Sequence, residues 1–360
     1  MRTINVGLIG SQFVSDIHAT SLQSVPGAKI LAAASPTEEH ITAFARRFDI
    51  PHAYTDYHKL LEMPEIDMVV IGAPNYAHAE IAIAAAQAGK AIVLEKPMAL
   101  NLQEADAMLA AAKQANVKLM YAEELCFTPK YVRLKQLADS GALGDIYLVK
   151  QSEKHDGPHA PWFWDVEKSG GGVTMDMGCH ACTFFLWFYD WAKPESILAD
   201  MGTHVHADKT QGDDNATIVV TFPGGRKGLA EESWARKGGM DDRAEAYGSK
   251  GCSYAYLHMG IALQTYSEVG YDYVVEKAPV STGWSYTIYE ELWNYGFPQE
   301  FQHFVECVRD DKEPLVTGEH ARTTLEMIFA AYASAGRNAR VSFPLQTDAR
   351  LPIDLWKPNR

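Results

Sequence analysis

Short apolar runs alternate with helix-like stretches through the first third of the chain. The runs cover residues 4–9, 29–34, 67–71 and 91–94, and the helix-like stretches cover 13–24, 37–48, 79–87 and 102–115. Short apolar runs that are bounded by turn residues are typical of strands, and strands that alternate with helices are typical of parallel sheets. The alternation therefore predicts an α/β domain with a doubly wound parallel sheet over residues 1–125.

The pattern changes after Pro129. A helix-like stretch at 131–140 is followed by β-rich stretches at 146–153, 196–206, 216–222 and 226–234. Consecutive strands of this kind predict an α+β domain with an open, mostly antiparallel sheet, which we assign to residues 126–360. Two late helical stretches, 301–309 and 321–335, can pack back on the first domain.

Charge and composition narrow the possible partners. The 360 residues contain 32 Lys and Arg against 46 Asp and Glu, so no basic surface is available for nucleic-acid phosphates. No apolar stretch approaches the length of a bilayer span, and the five cysteines are an odd number without disulfide-framework spacing. We expect a cytoplasmic protein that binds a small molecule and neither a membrane nor a nucleic acid.

The end of the first apolar run is suited to a dinucleotide. Gly10 closes the run, and a helix-like stretch follows at once, so that backbone N–H groups can approach a pyrophosphate. Only the first glycine of a G-x-G-x-x-G motif is present, because Gln12 and Ser15 occupy the other two places. An ordinary strand-helix turn with a single glycine is the alternative interpretation.

The next run ends without the carboxylate that usually binds the ribose of NAD. Ser35 follows this run, and the first acid is Glu38. No Arg or Lys stands there to attract a 2′-phosphate, so NAD is favoured and NADP is not excluded. Pro74 and Asn75 follow the third run, where ligands bind in such sheets, although a Pro-Asn turn is also an ordinary turn. The predicted cofactor contacts are Gly10, Gln12, Phe13, Val14, Ser35, Pro36, Thr37, Pro74, Asn75, His78, Glu95 and Lys96.

Three polar residues can form a proton-transfer site. Lys96 follows the fourth run, and Asp176 and His180 follow three consecutive glycines at 170–172. Oxidation of a secondary alcohol needs a base within hydrogen-bond reach of the hydroxyl, and an imidazole titrates near neutral pH. Lys96 can stabilise a developing alkoxide or act as the base itself. Asp176, expected one turn before His180 on one helical face, can orient the imidazole, and the choice of base between Lys96 and His180 stays open.

In this order, the motifs resemble those of the Gfo/Idh/MocA family of NAD(P)-dependent sugar and polyol oxidoreductases. The motifs are Gly7-Leu8-Ile9-Gly10, Pro74-Asn75-Tyr76-Ala77-His78, Glu95-Lys96-Pro97, and the glycines that lead to Asp176 and His180. The resemblance implies a Rossmann domain and a second domain whose open sheet often serves as an oligomer interface, so a homo-oligomer is expected. It also implies that Lys96 touches the nicotinamide region and the substrate hydroxyl, with Asp176 and His180 facing it across the cleft. The family often has an acid three positions after the histidine, where this chain has Thr183.

The segment 153–165 is rich in His and Trp and is a candidate for substrate binding. Sugars present an apolar face and a polar rim, so an aromatic platform beside polar groups suits them. We predict His155, Trp162 and Glu124 as substrate contacts, with Lys96, Asp176 and His180. An aromatic loop that packs in an interface is the alternative.

The predicted function is an NAD(P)-dependent dehydrogenase that moves a hydride between the nicotinamide and a secondary hydroxyl or keto carbon of a sugar or glycoside. Similar His- and Trp-rich loops are found in family members that act on glycosides, including some that oxidise the C3 hydroxyl. An inositol or polyol dehydrogenase and a keto-sugar reductase are the alternatives that use the same site.

Two other classes of protein compete with this interpretation. His204 and His206 would share a face of a strand and, with Asp208, could bind a metal, but we favour ordinary sheet histidines and predict no metal. A non-catalytic NAD(P)-binding sensor is the second rival. Such a sensor need not keep Lys96, Asp176 and His180, all of which this chain has.

Overall fold

Contacts divide the chain into two units, one of Met1–Glu124 with Gly296–Leu325 and one of Leu125–Tyr295 with Glu326–Arg360. The structure, a computed structural model, describes residues 2–258, 263–269, 282–287 and 290–357. The first unit thus consists of the first 124 residues of the chain and a late segment of 30 residues, Gly296–Leu325.

Six parallel strands form the sheet of the first unit in the order β3-β2-β1-β4-β5-β6. They are β1 (Ile4–Ile9), β2 (Ala28–Ala34), β3 (His52–Tyr54), β4 (Met68–Ile71), β5 (Ala91–Leu94) and β6 (Leu119–Tyr121). All four residues of β4 are buried, as expected for a strand that is covered on both faces. The predicted doubly wound parallel sheet is confirmed.

Helices connect these strands: α1 (Phe13–Gln23), α2 (Glu38–Arg47), α3 (Tyr57–Leu61), α4 (His78–Gln87) and α5 (Leu102–Ala115). The ends of α5 show why the sequence folds this way. Asn101 accepts a hydrogen bond from the Glu104 amide at 2.8 Å, which caps the first turn. Asn116 adopts a left-handed conformation with φ 52° and ends the helix.

The second unit contains a seven-stranded sheet in the order β12-β11-β7-β10-β9-β8-β15. Its elements are α6 (Pro129–Asp139), β7 (Ile146–Lys154), α7 (Val166–Ser169), α8 (Val173–Asp176), α9 (Gly178–Phe188), β8 (Ser196–Gly202), β9 (Asn215–Thr221), β10 (Lys227–Ser233), β11 (Asp241–Gly248), β12 (Gly251–Tyr256), the hairpin β13 (Leu263–Ser267) and β14 (Gly283–Thr287), α10 (Glu291–Tyr295) and β15 (Val341–Ser342). Only β7 and β10 pair in parallel within this sheet, as far as the described residues show. The predicted open, mostly antiparallel sheet is confirmed.

The two faces of this sheet differ in polarity. One face carries buried apolar side chains such as Ile218 and Val220, and Gly228 lies against Phe185 of α9. The opposite face carries ion pairs such as Lys154 with Glu231 at 3.1 Å. This alternation is typical of an antiparallel sheet with one covered face.

Two late helices complete the fold, α11 (Phe297–Arg309) and α12 (Gly318–Arg337). α11 belongs to the first unit, where Phe301, Phe304 and Val305 join the core beside α1 and β1. The division between the units falls within α12, after Leu325. No helix of the described ranges combines the length and apolar character needed to cross a bilayer. The compartment stays a prediction.

Candidate active site

The predicted cofactor residues share one edge of the sheet in the first unit. They follow the carboxyl ends of β1, β2, β4 and β5, which are parallel neighbours. The strand order reverses between β1 and β4, and dinucleotides bind in the crevice at such a reversal. The residues at this edge are Gly10, Gln12, Phe13, Val14, Ser35, Pro36, Thr37, Pro74, Asn75, His78, Glu95 and Lys96.

Gly10 allows the segments after β1 and β4 to approach each other closely. Its φ is 128°, and a Cβ there would lie 2.6 Å from the carbonyl oxygen of Gly72. The Ser15 Oγ would also lie 2.6 Å from that Cβ. The one glycine that remains of the motif is therefore required by the backbone, while the third glycine position accommodates Ser15.

The first turn of α1 is suited to bind a pyrophosphate. The N–H groups of a first helical turn have no intrahelical partners and attract anions. Gln12 is the N-cap residue, but its side chain makes no capping hydrogen bond and instead meets Nδ1 of His40 at 3.0 Å. Because the helix begins at the strand reversal and its N-cap side chain is directed elsewhere, the residues present fit the phosphates of a dinucleotide.

The end of β2 suits a ribose diol better than a 2′-phosphate. Ser35 accepts a hydrogen bond from the Ser11 hydroxyl at 2.8 Å, which joins the ends of β1 and β2. Glu38 and Glu39 begin α2 and are exposed, and the chain has no Lys or Arg between residue 35 and Arg46. Negative charge without a nearby cation disfavours a further phosphate.

Glu95 is held by a buried partner that the sequence analysis missed. Its Oε1 lies 2.8 Å from Nε2 of His18, which is on α1, and its Oε2 accepts the Lys96 amide at 3.0 Å. Burial opposes the charged form, yet the hydrogen bond and charge of His18 keep the pKa of Glu95 below its usual value. No motif indicated His18, because it is 77 residues away from Glu95 and lies on a helix.

Lys96 is half-buried directly after β5, and its backbone is braced from two sides. Glu95 holds the Lys96 amide, as described above. Nδ1 of His78 lies 3.0 Å from the carbonyl oxygen of Pro97, and Nε2 lies 2.8 Å from that of Ala73. The buried His78 ring therefore ties the segment after β4 to the segment after β5. Any contact of His78 with a cofactor would use other atoms, and that contact stays a prediction.

A buried glutamate on α11 lies close to this edge of the sheet. Glu300 is fully buried, and its carboxyl group lies near those of Glu95, Glu123 and Glu124. Burial raises the pKa of Glu300 well above its usual range, and the three neighbouring carboxylates add to the effect. The available signal in the sequence was an acid beside Phe301 and Phe304 on the apolar face of a helix. Glu124, half-buried after β6, is placed beside this group, and its contact with substrate stays a prediction.

In the second unit, the glycine-rich turn before Asp176 is fixed by a residue far away in the sequence. Asp213 accepts hydrogen bonds from the amides of Gly172 at 3.1 Å and Thr174 at 2.9 Å. The Thr174 hydroxyl donates to the same carboxyl group at 2.6 Å, as does the hydroxyl of Tyr332. Burial raises the pKa of Asp213, and these hydrogen bonds oppose that effect. Asp213 and Tyr332 were both missed, because neither stands near a recognisable motif.

The same network explains why glycines precede Asp176. A Cβ on Gly172 would lie 1.9 Å from the backbone oxygen of Asp213, and one on Gly171 would lie 2.2 Å from the Tyr332 hydroxyl. Gly170 ends α7 in a left-handed conformation with φ 89°. At each of the three positions, a side chain would therefore clash with a neighbouring residue or strain the backbone.

Asp176 and His180 do not lie on one uninterrupted helix, contrary to prediction. Asp176 ends α8, and His180 belongs to α9, which begins at Gly178. The two short helices meet at Met177, where the His180 amide bonds the Met177 carbonyl at 3.0 Å in a tightened turn. The Cys179 thiol bonds the Asp176 carbonyl at 3.0 Å. Both side chains are buried, and Oδ2 of Asp176 accepts a hydrogen bond from Nε1 of Trp234 at 3.1 Å.

Thr183 occupies the position at which the family often has an acid. It is fully buried on α9, and its hydroxyl donates to the Cys179 carbonyl at 2.9 Å. This back-bond to the preceding turn is a common arrangement for threonine within a helix. An acid at this position would place its charge in the same buried setting.

The predicted substrate contacts of the second unit lie on and after β7. His155 is fully buried, and its ring centroid lies 5.3 Å from that of His159. Trp162 is partly exposed in a short 3-10 helix, Pro161–Trp164, and stacks on Phe163 at 3.8 Å. The structure thus groups these rings in one loop, while their contact with a substrate stays a prediction.

The strand predicted for His204 and His206 is wrong, because β8 ends at Gly202. The Asp214 carboxylate instead accepts the consecutive amides of His204, Val205 and His206, at 2.7 to 2.8 Å. A single acceptor for three amides requires a tight turn, so the two histidines do not share a strand face. Nε2 of His206 bonds the Trp234 carbonyl at 3.1 Å.

Comparisons with known proteins assign the chain to a family. Residues 4–123 match the family described as "Oxidoreductase family, NAD-binding Rossmann fold", and residues 131–253 match the "GFO/IDH/MocA C-terminal domain". The chain belongs to the Gfo/Idh/MocA oxidoreductase family. The predicted family, the oxidoreductase class and the NAD-binding Rossmann domain are thereby confirmed.

Several characterised proteins resemble this member of the Gfo/Idh/MocA family. A myo-inositol 2-dehydrogenase of Thermotoga maritima is 26% identical, over 92% of this chain and 96% of its own. A levoglucosan dehydrogenase of Pseudarthrobacter phenanthrenivorans is 35% identical over 50% of each chain. The crystal structure of GenD2 from gentamicin A biosynthesis, in complex with NAD, matches with a TM-score of 0.90 and 26% identity, over 96% of this chain and 97% of that one.

Proposed function

We propose that the protein oxidises a secondary hydroxyl group of a sugar, polyol or glycoside and transfers the hydride to NAD. The observation that carries the proposal is the placement of Lys96 after β5, at the same carboxyl edge of the parallel sheet as the ends of β1 and β2 that suit NAD. We propose Asp176 and His180 as the partners of Lys96 in the reaction, because they follow it in the order of motifs that resembles the family's. The relatives act on inositol and levoglucosan, which are both rich in secondary hydroxyls.

The chemistry assigns a separate task to each side chain. NAD, when bound, supplies the acceptor for the hydride. Lys96 places positive charge at the substrate oxygen and so stabilises the alkoxide that develops there. His180 is suited to accept the hydroxyl proton, although Lys96 is a second candidate for this step. Asp176 orients the proton acceptor or holds a second substrate hydroxyl.

The aromatic loop of the second unit favours a substrate with an apolar face. The rings of Trp162 and Phe163 stack on each other, and the same loop contains the neighbouring rings of His155 and His159. Pyranose rings offer axial hydrogens to aromatic rings and hydroxyls to polar groups. We therefore propose a glycoside or anhydrosugar as the preferred substrate, and oxidation of a glucoside at C3. A polyol such as inositol and the reverse reduction of a keto sugar are the other uses of the same site.

A substrate screen tests this proposal. Purified protein is given NAD or NADP and a panel of free hexoses, inositols, levoglucosan and aryl glucosides, and NADH formation is followed by absorbance. The proposal predicts turnover with NAD on at least one cyclic sugar and weaker turnover with NADP. Activity on inositols alone would contradict the proposed role of the aromatic loop, and NMR of the product identifies the oxidised carbon.

Two further properties are proposed from the family. We propose that the exposed, charged face of the seven-stranded sheet forms the contact in a homo-oligomer, which light scattering of the purified protein measures. We also propose a domain boundary near residue 125, with the late segment Gly296–Leu325 associated with the first domain.

A further inference from the structure

A buried tryptophan contacts one of the proposed active-site residues directly. Trp234 follows β10, is fully buried, and donates its Nε1 hydrogen to Oδ2 of Asp176 at 3.1 Å. Both residues belong to the second unit. A tryptophan side chain carries a single hydrogen-bond donor, and here that donor is directed at a carboxyl group.

The backbone of Trp234 is also held at each polar atom. Its amide donates to the Asp214 carbonyl at 2.9 Å. Its carbonyl accepts the Gly157 amide at 2.7 Å and faces Nε2 of His206 at 3.1 Å. Gly157 belongs to the aromatic loop, residues 153–165, which is the substrate loop proposed above. Asp214 accepts the amides of the turn at His204 and His206. Trp234 therefore joins two loops, the aromatic loop and residues 203–214, to the segment that carries Asp176.

Ring contacts fix the orientation of the indole. The ring of Trp164 meets it edge to face at 5.3 Å and 73°, and that of Phe163 does so at 6.4 Å and 83°. Edge-to-face pairs of this geometry restrict rotation of a buried ring. Phe163 and Trp164 of the aromatic loop thus set the direction of the Nε1 hydrogen. A substitution in that loop should therefore alter the hydrogen bond from the indole to the Asp176 carboxyl group.

We propose that Trp234 is a positioning residue that holds the Asp176 carboxylate in its working orientation and links it to the substrate loop. This inference rests on the proposed function. A hydrogen bond to a charged acceptor is stronger than one to a neutral acceptor, so the indole favours the ionised, correctly rotated carboxylate. No covalent or proton-transfer step is assigned to Trp234 itself.

Site-directed incorporation of 3-benzothienylalanine at position 234 tests the proposal in the full-length protein. This analogue keeps the bicyclic shape and replaces the N–H by sulfur, so the core stays filled. The expected result is a fall in kcat of about tenfold to a hundredfold, as for the loss of a hydrogen bond to a charged group, with the KM for NAD unchanged. Trp234→Phe is a second variant, and the same analogue at the buried Trp187 of α9 is the matched control, with kcat expected to stay within about threefold.

A double-mutant cycle with Asp176→Asn shows whether the effect passes through the carboxylate. If it does, the analogue at position 234 lowers kcat in the wild-type background and has little further effect in Asp176→Asn. An unchanged kcat with the analogue, or an equal loss in both backgrounds, would overturn the inference while leaving the proposed function in place. If Asp176→Asn itself retained full turnover, both the inference and the role proposed for Asp176 would fail.

Discussion

The proposed site residues form two halves, one in each unit, and the two halves are supported in different ways. In the first unit, Lys96 follows a strand of a parallel sheet, and its neighbour along the chain, Glu95, holds its amide. In the second unit, the turn before Asp176 depends on Asp213 and Tyr332, which lie 41 and 160 residues after Gly172. A position at a strand end is thus set by topology, whereas the turn in the second unit is set by a buried polar network. Changes to the two halves should therefore differ in size and in kind.

The largest difference in stability between the two halves is expected when a glycine in each is replaced by alanine. Gly172→Ala would place a Cβ against the backbone of Asp213, which cannot move without breaking the network, so we expect a loss of about 3 kcal/mol or more in the free energy of unfolding. Gly7→Ala in β1 meets only the flexible Leu60 side chain, at 2.5 Å, so a loss of about 1 to 2 kcal/mol is expected there. Urea unfolding of both variants measures the contrast.

Gly178→Ala serves as the control within the same segment. A Cβ on Gly178 would lie 3.3 Å from a Thr174 methyl group, a contact that a small shift relieves. Its stability should stay within about 1 kcal/mol of the wild type. Equal losses for the Gly172 and Gly178 variants would show that the Asp213 network does not restrict this turn.

A smaller loss in the free energy of unfolding is expected when His18, the buried partner of Glu95, is replaced. His18→Leu leaves one oxygen of the carboxylate without its imidazole, which should cost about 1 to 3 kcal/mol at pH 7. The folded-state pKa of Glu95 is lowered, so its contribution to stability is present above the unfolded pKa near 4.5 and is lost as the pH falls below that value. The stabilities of the wild type and His18→Leu should therefore converge as the pH falls from 4.5 through the lowered folded-state pKa of Glu95. A constant difference in urea unfolding between pH 3 and pH 8 would argue that His18 acts by packing alone.

A change in stability of the opposite sign is expected for Glu300, and its size depends on the pH. The folded-state pKa of Glu300 is raised, so its contribution is most favourable below the unfolded pKa and is lost as the pH rises toward the folded value. Glu300→Gln should remove up to about 1.4 kcal/mol per pH unit from the pH dependence of stability above pH 4.5, and the variant should gain on the wild type as the pH rises. Thermal unfolding at pH 5, 6.5 and 8 measures this change, with the exposed Glu62→Gln as the matched control.

The sequence predicts much of the first half of the site and less of the second. Strands β1, β4 and β5 follow from short apolar runs, and their parallel arrangement brings Gly10, Asn75 and Lys96 to one edge. Asp176 and His180 are indicated by family motifs, but the break between α8 and α9 is not, because it depends on contacts made by the turn rather than on helix propensity.

Buried polar supports are the part that the sequence does not show. His18, Glu300, Asp213 and Tyr332 each act on a residue far away along the chain, and none lies in a motif. The turn at His204 and His206 shows the same limit. The sequence pattern predicts a strand there. In the structure, the Asp214 carboxylate accepts hydrogen bonds from three consecutive amides, which form a turn instead. Hydrogen bonds between such distant residues are set by the tertiary structure, and local sequence patterns do not predict them.

The central claim is that Lys96 acts on the substrate hydroxyl, and Lys96→Met tests it most directly. The measurement is kcat on the best sugar from the screen, together with the NAD dissociation constant from titration calorimetry. We expect kcat to fall about a thousandfold and NAD binding to change by less than about tenfold, while Lys113→Met on the exposed face of α5 keeps full activity. Retention of wild-type turnover by Lys96→Met would contradict the account.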